Sequence, residues 1–251
     1  MILCGKKDLG IKDLTALETT NNKLQISNNF KYKHMKTLLP SLLLFFSFTF
    51  AFTQDDANSK KAKDILDKVS AKMKTFTTVQ ADFVSTMENL QDDIKETLKG
   101  TIKLKGNMYK LEISGTEIFT DGKTMWTYLK DANEVNISEP DPNDDSSLNP
   151  AKIFKIWESD FKYKFVKESF ENALALYEID LYPINKEKTY SRITLKIDKD
   201  KLTIASIKYV GKEGNNYTIN IQKFTPNNPF TDNMFTFDEK SHPGVEKIDM
   251  R

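Results

Sequence analysis

The first periodic pattern of apolar residues along the chain, at residues 57–76, has the spacing of an α-helix. Its apolar positions recur every three or four residues: Ile65, Leu66, Val69, Met73 and Phe76. Lysine and aspartate fill the positions between them, so the apolar side chains share one face of a helix over residues 57–76. Such a face either packs on an ordinary core or plugs the opening of a curved sheet, and the pattern fits both interpretations.

Beyond residue 78 the pattern changes to the alternation that is typical of β-strands. Turn residues such as Gly106, Gly115 and the pair Asp121 and Gly122 separate short alternating runs. We predict about eleven strands, over residues 79–87, 96–105, 108–113, 117–120, 124–129, 134–137, 163–168, 174–182, 191–197, 203–210 and 217–224. An acidic loop at 140–149 and a short helix at 150–158 interrupt them. The expected fold is mainly β with α: a single curved antiparallel sheet, or open (incomplete) β-barrel, covered by an N-terminal helix and short lid helices.

A continuous apolar run precedes the predicted helix and strands. Met35 and Lys36 are followed by apolar residues 38–52 and then by a polar segment. The run is too short for a membrane span and contains Pro40, so we predict a signal peptide at 35–54, with an uncleaved anchor as the alternative. Residues 1–34 carry no core pattern, and we expect them to be an extension that results from a wrongly assigned start codon, with Met35 as the true start. The alternative is a real cytoplasmic extension, which would interfere with ordinary signal recognition. The exported domain would then be residues 55–251.

Composition excludes several classes of chemistry. The single cysteine, Cys4, precedes the signal peptide, and His242 is the one histidine of residues 55–251, so the sequence predicts no zinc cluster. The acidic run at 141–145 is not an EF-hand, because Ser146 and Lys152 stand where that loop needs glycine and glutamate. No G-x-S-x-G nucleophile elbow occurs. With a net charge of +1, the chain offers no broad field for nucleic acid.

Apolar residues are the positive signal for function. A curved sheet with one inward apolar face can enclose a ligand cavity beneath its helices. The candidate lining residues are Phe83, Leu104, Tyr109, Leu111, Trp126, Tyr128, Ile153, Phe154, Trp157 and Phe165. Each could equally be an ordinary core residue, and an error of one position in the alternation would move a strand's candidates to the opposite face.

Four motifs, in order along the chain, resemble those of one protein family. They are the A-D-F step at 81–83, the hairpin string D-G-K-T-M-W-T-Y at 121–128, the N-P step at 149–150, and a tail at 235–249 that contains F-T-F, P-G-V and I-D. Together they resemble the LolA family of periplasmic lipoprotein carriers. This chain departs from the family at one position. Many proteobacterial members have an arginine that acts on the lid in the strand near residues 105–107, whereas this chain has Gly106 there. A lid mechanism that uses that arginine is therefore not expected here.

The resemblance implies what the cavity would hold. Members of the LolA family bind the acyl chains of lipoproteins and ferry them across the periplasm, from an inner-membrane exporter to an outer-membrane acceptor. By this resemblance, residues 55–251 would form a monomeric carrier domain that needs no cofactor and is not an enzyme. Two other functions stay open. One is an envelope sensor or adaptor for lipoproteins or lipids on the same fold, and the other is an exported hydrolase whose carboxylate pair would converge in the pocket.

Overall fold

Twelve β-strands form one sheet in the part of the chain that the structure, a computed structural model, describes: residues 51–89, 91–140, 154–158 and 160–251. One long helix, α1 (Ala51–Met73), precedes the sheet. The strands are β1 (Val79–Asn89), β2 (Ile94–Lys105), β3 (Met108–Ile113), β4 (Thr116–Thr120), β5 (Met125–Leu129), β6 (Glu134–Ser138), β7 (Phe161–Glu171), β8 (Leu174–Pro183), β9 (Tyr190–Asp198), β10 (Thr203–Gly211), β11 (Asn215–Pro226) and β12 (Glu246–Asp249). Three single-turn 3-10 helices complete the described elements: Ile156–Glu158, Asp232–Phe235 and Glu239–Ser241.

The sheet is open, with β12 at one edge and β7 at the other. Its strand order is β12-β6-β5-β4-β3-β2-β1-β11-β10-β9-β8-β7, and every neighbouring pair is antiparallel except β12 with β6. The mainly β, open-sheet fold expected from the sequence is confirmed. The parallel strand β12 was not predicted, because its four residues are all exposed and carry no alternation.

The helix packs on one face of the sheet, which we call the inner face. Ala62, Ile65, Leu66 and Val69 of α1 are buried, and α1 contacts β7 and β10. Beneath it lies the covered core, a set of fully buried inner-face residues: Ile179, Ile193, Leu195, Ile197 and Ile207. The helical spacing predicted this buried stripe, although α1 starts at Ala51 and ends at Met73 instead of covering 57–76. Each fully buried aliphatic side chain contributes about 1.5–3 kcal/mol of transfer free energy.

The opposite, outer face of the sheet is crossed by the C-terminal tail, residues 227–251. Phe119, Tyr128 and Val135 form a second apolar cluster on that face, and Phe237 of the tail packs against it. The ring centroids of Tyr128 and Phe237 lie 5.3 Å apart. The tail then continues into β12 beside β6, so it closes the outer face of β4 to β6.

The turn between β4 and β5 follows the Asp-Gly signal. Gly122 has a φ of +88°, which glycine adopts without a steric penalty. The Asp121 Oδ1 atom accepts hydrogen bonds from the backbone N–H groups of Lys123 and Thr124, both at 2.8 Å. Burial opposes ionisation of Asp121, but the N–H groups of Thr124 and Lys123 outweigh it, and the pKa of the carboxyl is lowered. The turn is therefore fixed by hydrogen bonds to an ionised side chain.

The connection between β6 and β7 is described only in part. The short helix predicted at 150–158 is represented by the single turn Ile156–Glu158. Residues 141–153, which include most of the predicted acidic loop and the start of that helix, lie outside the described residues. The predicted signal peptide likewise lies outside them up to residue 50, and Ala51 to Gln54 are described only as backbone of α1.

Candidate functional site

Part of the inner face carries apolar side chains that α1 does not cover. Cross-strand pairing aligns Leu111 of β3 with Ile102 of β2 and with Ile118 of β4. Because directly paired residues of an antiparallel ladder share a face, the same registers continue this surface onto β5. We call the half-buried apolar residues of β3 to β5 on this face the open patch: Leu111, Ile113, Ile118, Met125 and Leu129. None of the five side chains carries a charge.

Aromatic side chains border this face where α1 ends. The ring of Phe224 lies 5.7 Å from that of Phe76 and 6.1 Å from that of Phe154, measured between centroids. Phe76, Phe154 and Leu104 line a hollow of about 260 Å³ between the helix end and the sheet. Leu104 pairs with Tyr109 on the inner face, so the hollow lies on the same side of the sheet as the open patch.

Trp157 is held beside the helix by two hydrogen bonds. Its indole Nε1–H donates to the Ser70 Oγ atom at 2.8 Å, and the hydroxyl of Tyr163 donates to its backbone carbonyl at 2.7 Å. These bonds satisfy the polar atoms of a buried indole and leave the ring to act as an apolar surface. The segment that follows residues 141–153 is thereby tied to α1 and to β7.

The structure brings most of the predicted lining residues onto the inner face. Phe83, Leu104, Tyr109, Phe154 and Trp157 are buried in its main cluster, and Leu111 and Phe165 are half-buried against that cluster. Phe165 lies under α1, where the Lys61 ammonium group is 3.7 Å from the centroid of its ring. Ile153 lies outside the described residues.

Two predicted lining residues, Trp126 and Tyr128, face the other way. Trp126 pairs with Phe119, and Tyr128 pairs with Val135, so both side chains lie on the outer face. The Tyr128 hydroxyl donates to the Asn133 Oδ1 atom at 3.0 Å. Apolar residues occur on both faces of β5. The sequence of this strand therefore does not show which face lies under the tail and which lies on the same side as the helix. The assignment was therefore wrong by one position in this strand.

The inner face beneath α1 is unfavourable for charge around Tyr209. The hydroxyl of Tyr209 is buried there without a hydrogen-bond partner in the described part of the chain, and burial raises the pKa of this group. Charged residues of β3 and β4 point to the outer face, where Glu117 pairs with Lys130 at 2.8 Å and with Lys110 at 3.4 Å. Within the described residues no group of three His, Cys, Asp or Glu side chains is placed to hold a metal ion.

The turn that carries Gly106 connects β2 to β3. Gly106 has a φ of +61° and lines the 260 Å³ hollow. The neighbouring cation, Lys105, points to the outer face, where its Nζ atom donates to the Asp232 Oδ1 atom at 2.6 Å and to the Phe230 carbonyl at 3.2 Å. Lys105 therefore holds the C-terminal tail and does not take the place of an arginine on the inner side.

Within residues 51–89, 91–140, 154–158 and 160–251, a mainly antiparallel open sheet has one long covering helix and an apolar patch that this helix leaves uncovered. This architecture defines a class of protein that can shelter an apolar ligand. The sequence profile of the family described as "Outer membrane lipoprotein carrier protein LolA" matches residues 74–238, and the chain belongs to this family. The described residues contain no helix with both the length and the apolar character that a membrane span requires.

Individual proteins are similar to this chain over most of its length. An outer-membrane lipoprotein carrier protein of Idiomarina loihiensis is 24% identical over 217 residues, which cover 84% of this chain and 98% of that protein. Among solved structures, an uncharacterized conserved protein of Thermus thermophilus is similar in fold, with a TM-score of 0.50, 14% identity, and coverage of 75% of this chain and 99% of that one. A LolA superfamily protein of Nitrosomonas europaea has a TM-score of 0.39 at 13% identity, over 71% of this chain and 98% of that one.

Proposed function

We propose that this protein is a periplasmic carrier that binds the acyl chains of lipoproteins and ferries them from the inner to the outer membrane. The observation that carries the proposal is the open patch: five half-buried apolar side chains on the face that α1 covers elsewhere. A contiguous apolar surface that stays partly accessible to solvent is a candidate binding site for an apolar ligand. Family membership supplies the expectation that this ligand is a lipoprotein.

The energetics suit transport. Each acyl methylene removed from water is worth about 0.8 kcal/mol. Burying about ten of them contributes roughly 8 kcal/mol, which corresponds to a dissociation constant near micromolar if nothing opposes it. Such an affinity keeps a lipid out of water and still allows its transfer to an acceptor with a better pocket. No covalent bond is made or broken, so the function we propose is not enzymatic.

The uncharged character of the open patch limits what enters. A charged group placed among Leu111, Ile118 and Met125 would lose its hydration without gaining a partner, which is costly. The acyl chains would therefore occupy the inner face, and the polypeptide of the lipoprotein would stay outside it. This division of the cargo matches a ligand that is apolar at one end and polar at the other.

The proposed route begins with export. The signal peptide at 35–54 would direct the chain to the periplasm, and sequencing of the amino terminus of the native protein would test its removal. There the carrier would accept cargo from an inner-membrane exporter and release it to an outer-membrane acceptor. Transfer of a lipoprotein between donor and acceptor vesicles by the purified protein distinguishes a carrier from a sensor, because a sensor retains what it binds.

A matched pair of variants tests the open patch. Ile118 lies on the inner face, whereas Ile137 of β6, also half-buried, pairs with Trp126 on the outer face. We expect Ile118→Gln to weaken binding of a fluorescent long-chain fatty acid about tenfold, because an amide would replace an apolar contact. Ile137→Gln should leave the affinity unchanged. Equal affinities for the parent and both variants, at matching circular dichroism, would remove the support for this site.

A further inference from the structure

Strand β2 continues past the end of its neighbour β3 and leaves part of one edge without a partner. The pairing with β3 covers residues 100–105 of β2, and the chain then turns at Ser114 and Gly115. Residues 94–99, which we call the β2 edge, pair with β1 on one side, and no described strand pairs with them on the other. All six of their side chains are exposed. An unpaired edge offers backbone N–H and C=O groups to an incoming strand.

A hollow of about 540 Å³ lies at the step where β3 ends and β2 continues. Its lining includes Phe83, Gly100 and Ile113, which are paired with one another across β1, β2 and β3 on the inner face. The ring of Phe83 lies over Gly100, where an added Cβ would come within 2.5 Å of the Phe83 Cζ atom. Asp82 and Glu112 also line the hollow and belong to the outer-face register, so the hollow reaches the outer side of the sheet. The β2 edge adjoins the proposed acyl site through the pairing of Gly100 with Ile113, which also belongs to the open patch.

A second copy of this chain is poorly suited to the β2 edge. Two copies of the β2 edge could pair antiparallel with their inner faces on the same side of the joined sheet. The longest ladders of this kind have either Glu96 or Thr97 at their centre, opposite the same residue of the other copy. Centring on Glu96 places two carboxylates directly opposite each other, and centring on Thr97 places Lys95 opposite Lys99 twice. Like charges at opposed positions destabilise a ladder. The edge is therefore suited to a different polypeptide.

The charge at the step favours an acidic residue in that polypeptide. Lys99 has no carboxylate partner in the described part of the chain. The two carboxylates of the hollow are already engaged, Asp82 by the Thr101 hydroxyl at 2.9 Å and Glu112 by the Lys110 ammonium group at 2.9 Å. An acidic side chain on an added strand, opposite Lys99, would supply the partner that this lysine lacks.

We propose that the β2 edge binds, as an added strand, the extended peptide that follows the acylated residue of the cargo. The acyl chains lie in the open patch, which adjoins the β2 edge where Ile113 pairs with Gly100 on the inner face, and the peptide leaves along residues 94–99. Backbone hydrogen bonds supply the affinity, which makes the site tolerant of sequence, and Lys99 selects an acidic residue. This inference rests on the proposed function, since it takes a lipoprotein as the ligand.

Synthetic lipopeptides test the inference without altering the protein. The probe is a diacylated cysteine followed by alternating threonine and valine with one aspartate, and its binding to the purified protein is compared with that of a fluorescent long-chain fatty acid. Methyl groups on alternate backbone amides of the peptide block hydrogen bonding along one of its edges. We expect methylation of one edge to weaken binding at least about tenfold and methylation of the other to have no effect, because one edge alone faces β2.

A charge exchange provides the control for sequence preference. Lys99→Glu should weaken binding of the aspartate lipopeptide and strengthen binding of the same lipopeptide with lysine at that position, while the affinity for the fatty acid stays unchanged. Equal binding of both methylated lipopeptides would overturn the edge inference and leave the carrier function standing. If neither the fatty acid nor any lipopeptide binds, the carrier function fails, and this inference fails with it.

Discussion

The covered core and the open patch lie on the same face of one sheet and differ in what lies above them. Ile193 in the covered core is fully buried beneath α1, whereas Ile118 in the open patch is half-buried. Both are isoleucines on antiparallel strands with inward side chains. The difference between the two regions is therefore the position of the helix, and not the composition of the strands.

This difference separates stability from function. An apolar side chain under α1 contributes its transfer free energy to folding, because it is removed from water in the native state. An apolar side chain in the open patch keeps part of that free energy available for a ligand. The two regions should therefore respond to the same substitution to different degrees, and the predictions below test that expectation.

The largest effect is expected from truncating isoleucine in the covered core. Ile193→Ala should lower the free energy of unfolding by about 2–5 kcal/mol, because the cavity beneath α1 cannot be filled by water. Ile118→Ala should cost about 1–2 kcal/mol, because its side chain is already partly exposed. Denaturant unfolding measures both. Similar losses for the two variants would mean that the open patch is ordinary core.

The step where β3 ends and β2 continues, beside the open patch, is sensitive to added volume. Gly100→Ala should destabilise the protein by about 1–3 kcal/mol, because the new methyl group meets the Phe83 ring and the backbone carbonyl of Glu112, 2.8 Å away. Combining it with Phe83→Leu should recover part of the loss by removing the ring contact. If the loss of unfolding free energy in the double variant equals the sum of the losses in the two single variants, Phe83 does not pack on Gly100.

The hairpin beside the open patch gives a smaller, pH-dependent effect. Asp121→Ala should cost about 1 kcal/mol at neutral pH, because two N–H groups lose their acceptor. Since the folded-state pKa of Asp121 is lowered, the ionised carboxyl stabilises the fold above its unfolded pKa, and this contribution is lost as the pH falls through the folded pKa, below about pH 4. Asp121→Asn keeps a side-chain oxygen and should lack this pH dependence. If the loss of unfolding free energy caused by Asp121→Ala does not change with pH, the ionised carboxyl of Asp121 does not stabilise the turn.

Local patterns in the sequence predicted the parts of the fold that depend on local physics. The spacing of Ile65, Leu66 and Val69 predicted the buried stripe of α1, and the dipeptide of Asp121 and Gly122 predicted the turn between β4 and β5. Both features follow from backbone geometry within a few residues. The open sheet followed from the number of alternating runs and the small number of helices.

The site depended on contacts that local patterns do not contain. The alternation in β5 showed that Trp126 and Tyr128 share a face, but the inner face was decided by α1 and the tail, which pack on opposite sides of the sheet. Phe76 and Phe224 meet although they are far apart in the sequence, and no single-strand pattern marks that contact. Ile113 and Ile118 of the open patch were also missed as candidates, since they resemble any strand residues.

The central claim is that acyl chains bind at the open patch on the inner face, and single tryptophans on the two faces of the sheet test it directly. Trp126 lies on the outer face and Trp157 is buried beside α1, so both are first replaced, as Trp126→Phe and Trp157→Phe. Ile118→Trp then places the single fluorescent reporter in the open patch, and Ile137→Trp places it on the outer face. A fatty acid brominated along its chain should quench the fluorescence of the first reporter strongly and that of the second little, because contact quenching requires the ligand to reach the ring. Equal quenching of both, or quenching of the outer reporter alone, would contradict the account.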